Sequence, residues 1–288
     1  MLQTLTILEP FHLKNLKPGS LEAVHLISEA TRLAFADRGR YVADADFVPV
    51  PVSWLVDRNY LRQRSKLIAL DKRLPKAEPG KPQHGALERF PWRGQDLTLE
   101  IPATSHISVV DGSGNAVAMT TTIENGFGSR VLVRGFLLNN QMTDFAFAPK
   151  DGDMPVANAV APGKRPRSSM APTIVSDRDG RLALTIGSPG GARIIPYVIQ
   201  TLVGVLDWNL DMQQAIAAPR HVTLGGPLEL EKGSALARLA PQLKELGWTV
   251  AENELVSGLQ GIAVVRRGDT TQLVGGADPR REGEALGD

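Results

Sequence analysis

The sequence predicts an α+β fold, with helices covering antiparallel sheets. Three observations carry this. β-Branched segments come in adjacent pairs joined by Gly- and Asp-rich turns, the mark of hairpins. A long run with apolar residues at helical spacing precedes them. A second, nearly continuous apolar helix follows one of the hairpins directly. Hairpins flanked by helices, with no strand–helix alternation, indicate antiparallel sheets.

The elements follow in order. Leu21, Val24, Ile27, Thr31, Ala34 and Phe35 recur near every 3.6 residues, which predicts a helix over 21–41 with Ser20 as its N-cap. Residues 52–70 fit a second, weaker helix, and residues 71–96, rich in Pro, Gly and charge, read as a flexible linker or surface loop. Residues 106–111 and 116–123 pair across Gly112-Ser113-Gly114, and 134–138 make a further strand. Residues 172–175 and 182–186 form the second hairpin, and 192–206 the buried helix, with Ile194, Ile195, Val198, Leu202 and Val205 on its apolar side. An amphipathic helix over 234–246 ends at Gly247, and a last hairpin joins 261–266 to 271–274.

Composition removes several function classes. Lys and Arg number 32 against 31 Asp and Glu, a balance that argues against a nucleic-acid-binding face. The chain has no cysteine, so thiol nucleophiles, disulfides and Cys-ligated metals are excluded. No stretch of 18 apolar residues is present to span a membrane as a helix. Residues 1–20 show neither the basic start nor the apolar run of a signal peptide, and the compartment stays open.

The five histidines (His12, His25, His84, His106 and His221) are scattered, with no HxxxH or HExxH pair, and each reads as structural. No GxSxG elbow, P-loop or GxGxxG motif is present. Three segments remain. Gly187-Ser188-Pro189-Gly190-Gly191 joins a strand to a helix, either as a tight turn or as a set of backbone N–H groups facing an anion. Residues 139–145 (NNQMTDF) follow a strand and offer acceptors for an ammonium group. Residues 164–170 (KRPRSSM) offer hydroxyls and positive charge for a carboxylate. Together they suit an amino-acid-like ligand, and each alone also fits a solvated loop.

Taken together, ATSHISVVD over 103–111, FGS over 127–129, LLNNQM over 137–142, PGKRP over 162–166, SSMAPT over 168–173, GSPGGAR over 187–193, APRH over 218–221 and ADPRR over 277–281 resemble the γ-glutamyltranspeptidase (glutathione hydrolase) family. The motifs stand in the family's order, and residues 22–48, with LAFADR at 33–38, resemble the helical region before its processing site. The resemblance implies an N-terminal-nucleophile hydrolase with a four-layer αββα sandwich. It implies autocleavage between Ala103 and Thr104, which separates the end of a large-subunit region (1–103) from a small catalytic subunit (104–288). The freed α-amine of Thr104, with an ordinary pKa of roughly 7.7–8.0, then serves as base for its own hydroxyl. No metal or organic cofactor is needed.

The resemblance also implies the roles. Thr104 is the nucleophile and Thr122 orients it. Glu124, Gln141 and Asp144 hold the substrate's α-ammonium, Ser168 and Ser169 its α-carboxylate, and the Gly190 and Gly191 N–H groups form the oxyanion hole. His106 is structural or supporting, not the base. The implied substrate is a γ-glutamyl compound such as glutathione, with water or an amino acid as acceptor. Family precursors are about twice this length. Their first half supplies part of the sandwich and an arginine for the α-carboxylate, so an N-terminal large-subunit segment is an expected partner. Position 105 is Ser where many members have Thr, and position 143 is Thr where many have Asp. Residues 145–161 are shorter than in members with a lid loop, which keeps a cephalosporin or glutaryl-type acylase as an alternative. An inactive truncated remnant is the reading from another class.

Overall fold

The computed structural model describes residues 1–82, 91–92, 94–96, 104–268 and 270–287. The expected linker lies partly outside these residues, as do His84 and Ala103. The helical part comprises α1 (Leu2–Leu8), α2 (Leu21–Tyr41), α3 (Val52–Leu55) and α4 (Arg58–Ser65). Strands β1 (Thr104–Val110) and β2 (Ala116–Thr122) follow, then the two-residue pairs β3 (Leu132–Val133) with β4 (Phe136–Leu137) and β5 (Lys150–Asp151) with β6 (Met154–Pro155). Next come β7 (Thr173–Ser176), β8 (Leu182–Gly187), α5 (Ile194–Leu206), α6 (Met212–Ala217), β9 (His221–Val222) and β10 (Leu228–Glu231). The chain continues with α7 (Ala240–Glu245), β11 (Val250–Asn253), β12 (Gln260–Arg267) and β13 (Thr270–Ala277).

Helix α2 has the predicted bounds and cap, with Ser20 Oγ accepting from Ala23 N at 3.3 Å. It is buried nearly all round instead of on one stripe, because three apolar clusters meet on it: Leu26, Ile27 and Leu33 enter one, Val24 another and Tyr41 a third. Several of its buried polar groups are paired. Arg32 bridges Glu29 at 3.0 Å, and Asp37 accepts from Tyr60 Oη at 2.6 Å and from Gly80 N at 2.7 Å.

The helix expected over 52–70 is two short ones. Asp57 interrupts the run, and its carboxylate caps α4 by accepting from Tyr60 N at 2.8 Å. The helix expected over 234–246 is a 3-10 turn over Ala235–Leu239 followed by α7, since Pro241 suits a helix start and not an interior.

The main sheet runs β13-β12-β8-β7, antiparallel throughout. Helices α5 and α6 pack beside it, joining Leu184, Ile186, Ile194, Val198 and Met212 in one core. The hairpin β1–β2 lies against β8 and β12, with Ser108 Oγ donating to Gln260 O at 3.3 Å. This gives successive layers of helix, sheet and hairpin. The smaller sheet β11-β10-β9 packs with α7 through Leu228, Leu230, Leu243 and Trp248. Among the described residues no helix is long and apolar enough to cross a membrane.

The hairpin is inverted relative to ordinary half-buried sheets. Thr104, His106 and Ser108 face inward, while Ile107, Val109, Val117 and Met119 are each about half exposed. They form the outward cross-strand pairs Ile107–Met119 and Val109–Val117.

Candidate active site

Thr104 opens β1 and pairs in register with Thr122, the last residue of β2. The pairing brings the hydroxyls together, and Thr104 Oγ1 donates to Thr122 Oγ1 at 3.2 Å. Thr122 Oγ1 also accepts from Glu124 N at 2.9 Å, which requires the turn after β2 to bend sharply. Glu124 is accordingly left-handed at φ 74°, a region costly for a side chain with a Cβ and favoured at functional sites.

That bend turns the Glu124 carboxylate inward. Gln141 Nε2 donates to Glu124 Oε2 and to Asp144 Oδ2, both at 2.9 Å. Two buried carboxylates therefore converge on one neutral amide. Their mutual repulsion makes the place favourable for a cation. The 3-10 turn Gln141–Asp144 sets the spacing, placing both residues on one side.

Asn158 extends the network, donating from Nδ2 to Asp144 O at 2.8 Å and to Asp96 Oδ2 at 2.9 Å. Asp96 in turn bridges Arg167 at 3.0 Å, and Arg167 N donates to Asn158 Oδ1. The next residues are Ser168 and Ser169. Ser168 Oγ accepts from Met170 N at 3.1 Å, and buried Ser169 accepts from Arg38 Nη2 at 2.6 Å.

The glycine turn joins β8 to α5. Gly190 and Gly191 adopt φ of 140° and 57°, conformations closed to most side chains. A Cβ at Gly190 would lie 3.0 Å from the Tyr197 ring. Pro189 shares with Thr104, Gly258 and Arg281 a cleft of about 440 Å³. Arg281 Nη1 donates to Thr104 O at 3.2 Å. Its neighbour Asp278 is buried and fixed by Ser257 Oγ at 2.5 Å and Leu259 N at 3.1 Å, while Arg280 bridges Glu231.

His106 lies under the nucleophile strand, with Nδ1 at 2.8 Å from Thr120 Oγ1 and Nε2 at 3.1 Å from Ser108 Oγ. Burial pushes its pKa down to about 4, so it is neutral at neutral pH. His25 and His221 are also buried, bonded to Ala69 O with Trp248 Nε1 and to Ser28 Oγ respectively.

Thr104, Thr122, Glu124, Gln141 and Asp144 thus form one hydrogen-bonded chain. Ser168 and Ser169 follow Arg167 in the chain, whose backbone bonds Asn158, and Gly190 and Gly191 follow Pro189, which lines the cleft at Thr104. Ala103 lies outside the described residues. Sequence reasoning passed over Arg38, Asn158, Asp96 and Arg281. Arg38 and Arg281 sit inside quoted motifs without a role, and no local pattern marks Asn158 or Asp96.

The sequence model of the Gamma-glutamyltranspeptidase family matches residues 1–288. This chain belongs to that family. The glutathione hydrolase proenzyme of Escherichia coli (strain K12) is 40% identical over 97% of this chain and 47% of its own length. The acylase ACY 1 proenzyme of Pseudomonas sp. (strain SE83) is 36% identical over 98% of this chain and 46% of its own. A γ-glutamyltranspeptidase chain from Helicobacter pylori superposes with a TM-score of 0.57 at 36% identity, covering 62% of this chain and all of that one. A cephalosporin acylase from Bacillus halodurans gives 0.78 at 26%, covering 98% of this chain and 48% of that one. The fold is that of the γ-glutamyltranspeptidases, an N-terminal-nucleophile hydrolase fold of the α+β class. The chain spans about half the length of the curated relatives it matches.

Proposed function

We propose that this chain carries the catalytic site of a γ-glutamyltransferase acting on glutathione-like amides. The observation that carries the reading is the unbroken run from the Thr104 hydroxyl to two carboxylates sharing Gln141. A nucleophile at one end and an ammonium site at the other suit an acyl group with an α-amine. Cleavage before Thr104 divides the chain into 1–103 and 104–288. Residues 104–288 are 64% of the sequence, close to the share covered by the complete H. pylori chain.

In the reaction, the freed Thr104 α-amine takes the hydroxyl proton as Oγ1 attacks the γ-carbonyl carbon. Thr122 holds Oγ1 in line. The oxyanion is stabilised by the Gly190 and Gly191 N–H groups, where one donor is typically worth about 10²–10³ in rate. The amine leaving group receives the proton, leaving a γ-glutamyl ester on Thr104. Water or an amino acid then attacks that ester and releases the product. Glu124, Gln141 and Asp144 hold the ammonium, and Ser168 with Ser169 the carboxylate.

The outward face of the hairpin supports a partner. Ile107, Val109, Val117 and Met119 make a contiguous apolar patch of the kind that soluble proteins cover. Its occupant is a segment equivalent to the relatives' other half, whether from a longer polypeptide or a second chain.

The acylase relatives favour a second reading, hydrolysis of glutaryl-type amides. Processed protein should release p-nitroaniline from γ-glutamyl-p-nitroanilide. Turnover of glutaryl-p-nitroanilide alone would instead assign an acylase.

A further inference from the structure

An α-amino acid carries its two charged groups on one carbon, so their separation is fixed. A site that recognises both must hold its two sets of partners at one matching distance. In this chain the two sets lie on separate segments. Gln141 and Asp144 belong to the 3-10 turn after β4, and Ser168 with Ser169 to the stretch before β7.

One side chain spans the two. Asn158 is buried, and its amide engages both N–H groups and its oxygen. Nδ2 donates to the Asp144 carbonyl at 2.8 Å and to Asp96 Oδ2 at 2.9 Å, and Oδ1 accepts from Arg167 N at 3.0 Å. The partners dictate which way the amide points, because a carbonyl and a carboxylate accept while a backbone N–H donates. Asp144 carries one of the carboxylates placed at the ammonium, and Arg167 directly precedes Ser168. One planar amide therefore touches a residue that holds one α-group and the neighbour of the pair that holds the other.

The main chain beneath this amide is itself fixed. Lys164 Nζ donates to Ala157 O at 2.5 Å and to Ala159 O at 2.8 Å, the carbonyls on either side. Asn158 O accepts from Ala146 N at 3.0 Å, so three successive carbonyls are engaged. Asp96 closes the frame, since its Oδ2 accepts from Arg167 Nη2 at 3.0 Å as well as from Asn158. Such an amide resists displacement, because each bond broken in the interior leaves a polar atom without water.

We infer that Asn158 is a positioning residue that sets the spacing between the ammonium and carboxylate holders, making the site selective for donors with both groups on one carbon. The inference rests on the γ-glutamyl reading of the site. Asn158 acts through Asp144 and Arg167 and touches no reacting atom.

Three anilides test this. γ-Glutamyl-p-nitroanilide carries both α-groups, 4-aminobutyryl-p-nitroanilide only the ammonium, and glutaryl-p-nitroanilide only the carboxylate. The assay uses processed protein, with its partner segment where one is needed. Asn158→Ala should lower kcat/KM for the γ-glutamyl anilide about 10–100-fold, chiefly through KM. The two anilides with one group each need a single holder, and their kcat/KM should stay within about threefold of wild type. Asn158→Gln keeps the amide but adds a methylene, and should show the same pattern because the spacing changes. It carries the comparison where the alanine variant fails to process.

An equal fall on all three anilides, or loss of processing in both variants, would make Asn158 a general structural residue and overturn the assignment. Unchanged values would overturn it as well. A fall shared by the γ-glutamyl and one single-group anilide, with the other spared, would tie Asn158 to one holder alone and reject the spacing role. A wild-type protein that does not prefer the γ-glutamyl anilide over the other two would remove the underlying reading, whatever the variants do.

Discussion

Thr104 stands beside the Thr122 hydroxyl, and the imidazole in its own strand, His106, is not suited to be its base. His106 is buried, already engaged by Thr120 and Ser108, and its pKa is depressed to about 4. In the proposed reaction the α-amine released by cleavage carries the proton transfer instead. Thr104→Ala should leave one uncut chain with no turnover, read by mass and by p-nitroaniline release. Ordinary cleavage in that variant would show that the nucleophile is misassigned. Asp144→Ala should raise KM for the γ-glutamyl anilide by about 10–100-fold while sparing the glutaryl probe, since it removes one charged partner proposed for the ammonium. Equal effects on both probes would argue for a structural role.

His106 also makes a stability prediction. Its folded pKa lies below the usual imidazole value of about 6.5. Between about pH 6.5 and 4 the unfolded chain binds a proton that the folded chain does not. Stability from this group is therefore fully present above that window and falls as pH drops through it. Denaturant midpoints should decline over the window, and less steeply in His106→Gln. The same slope in that variant would place the sensitivity elsewhere.

At the scale of elements, the hairpin β1–β2 decides the site. Its register sets Thr104 opposite Thr122, and a one-residue slip would turn both hydroxyls to the other face. The hairpin also needs Gly187 on the neighbouring strand, because a Cβ there would collide with the His106 ring. Gly187→Ala should cost about 1–3 kcal/mol by overpacking, measured by chemical denaturation, and reduce processing. A fully stable variant would mean that His106 can move aside. The outward face predicts the opposite pattern. Met119→Glu should leave the main sheet intact and weaken association with the covering segment. Undiminished association, read by co-purification, would put that contact elsewhere.

Elements with strong local signals were legible. Ser20 with the periodic run gave α2 its bounds, and Gly112–Gly114 located the first hairpin. Elements set by tertiary contact were not. The strands β9, β10 and β11 are short, β11 joins β10 in parallel from beyond α7, and α1 and α6 are too short for a clear period. The break at Asp57 was readable in principle, as an N-cap residue inside an apparently continuous helix.

Over the whole molecule, the site was legible as separate motifs and not as a connected object. Thr104, Thr122, Glu124, Gln141 and Asp144 were chosen by resemblance. Their hydrogen-bonded continuity, and the inward bend at Glu124 that creates it, appear only in three dimensions. Asn158 and Asp96 stayed hidden because buried polar residues that link others carry no periodic or motif signature. Arg38 was hidden for a different reason: on α2 it reads as an ordinary charge near a helix C-terminus. The apolar outer face of the hairpin ties these local facts to the relatives' length, since a covering segment is what the other half would supply.

The most direct test is the intact mass of the purified protein with N-terminal sequencing of any fragments, made on the chain alone and after co-production with the N-terminal half of the E. coli relative. Autoprocessing should yield pieces of about 11 and about 20 kDa by length, the larger beginning Thr104-Ser105-His106. A single 31.0 kDa chain under both conditions, or a cut at another residue, would contradict the assignment of Thr104 as an N-terminal nucleophile.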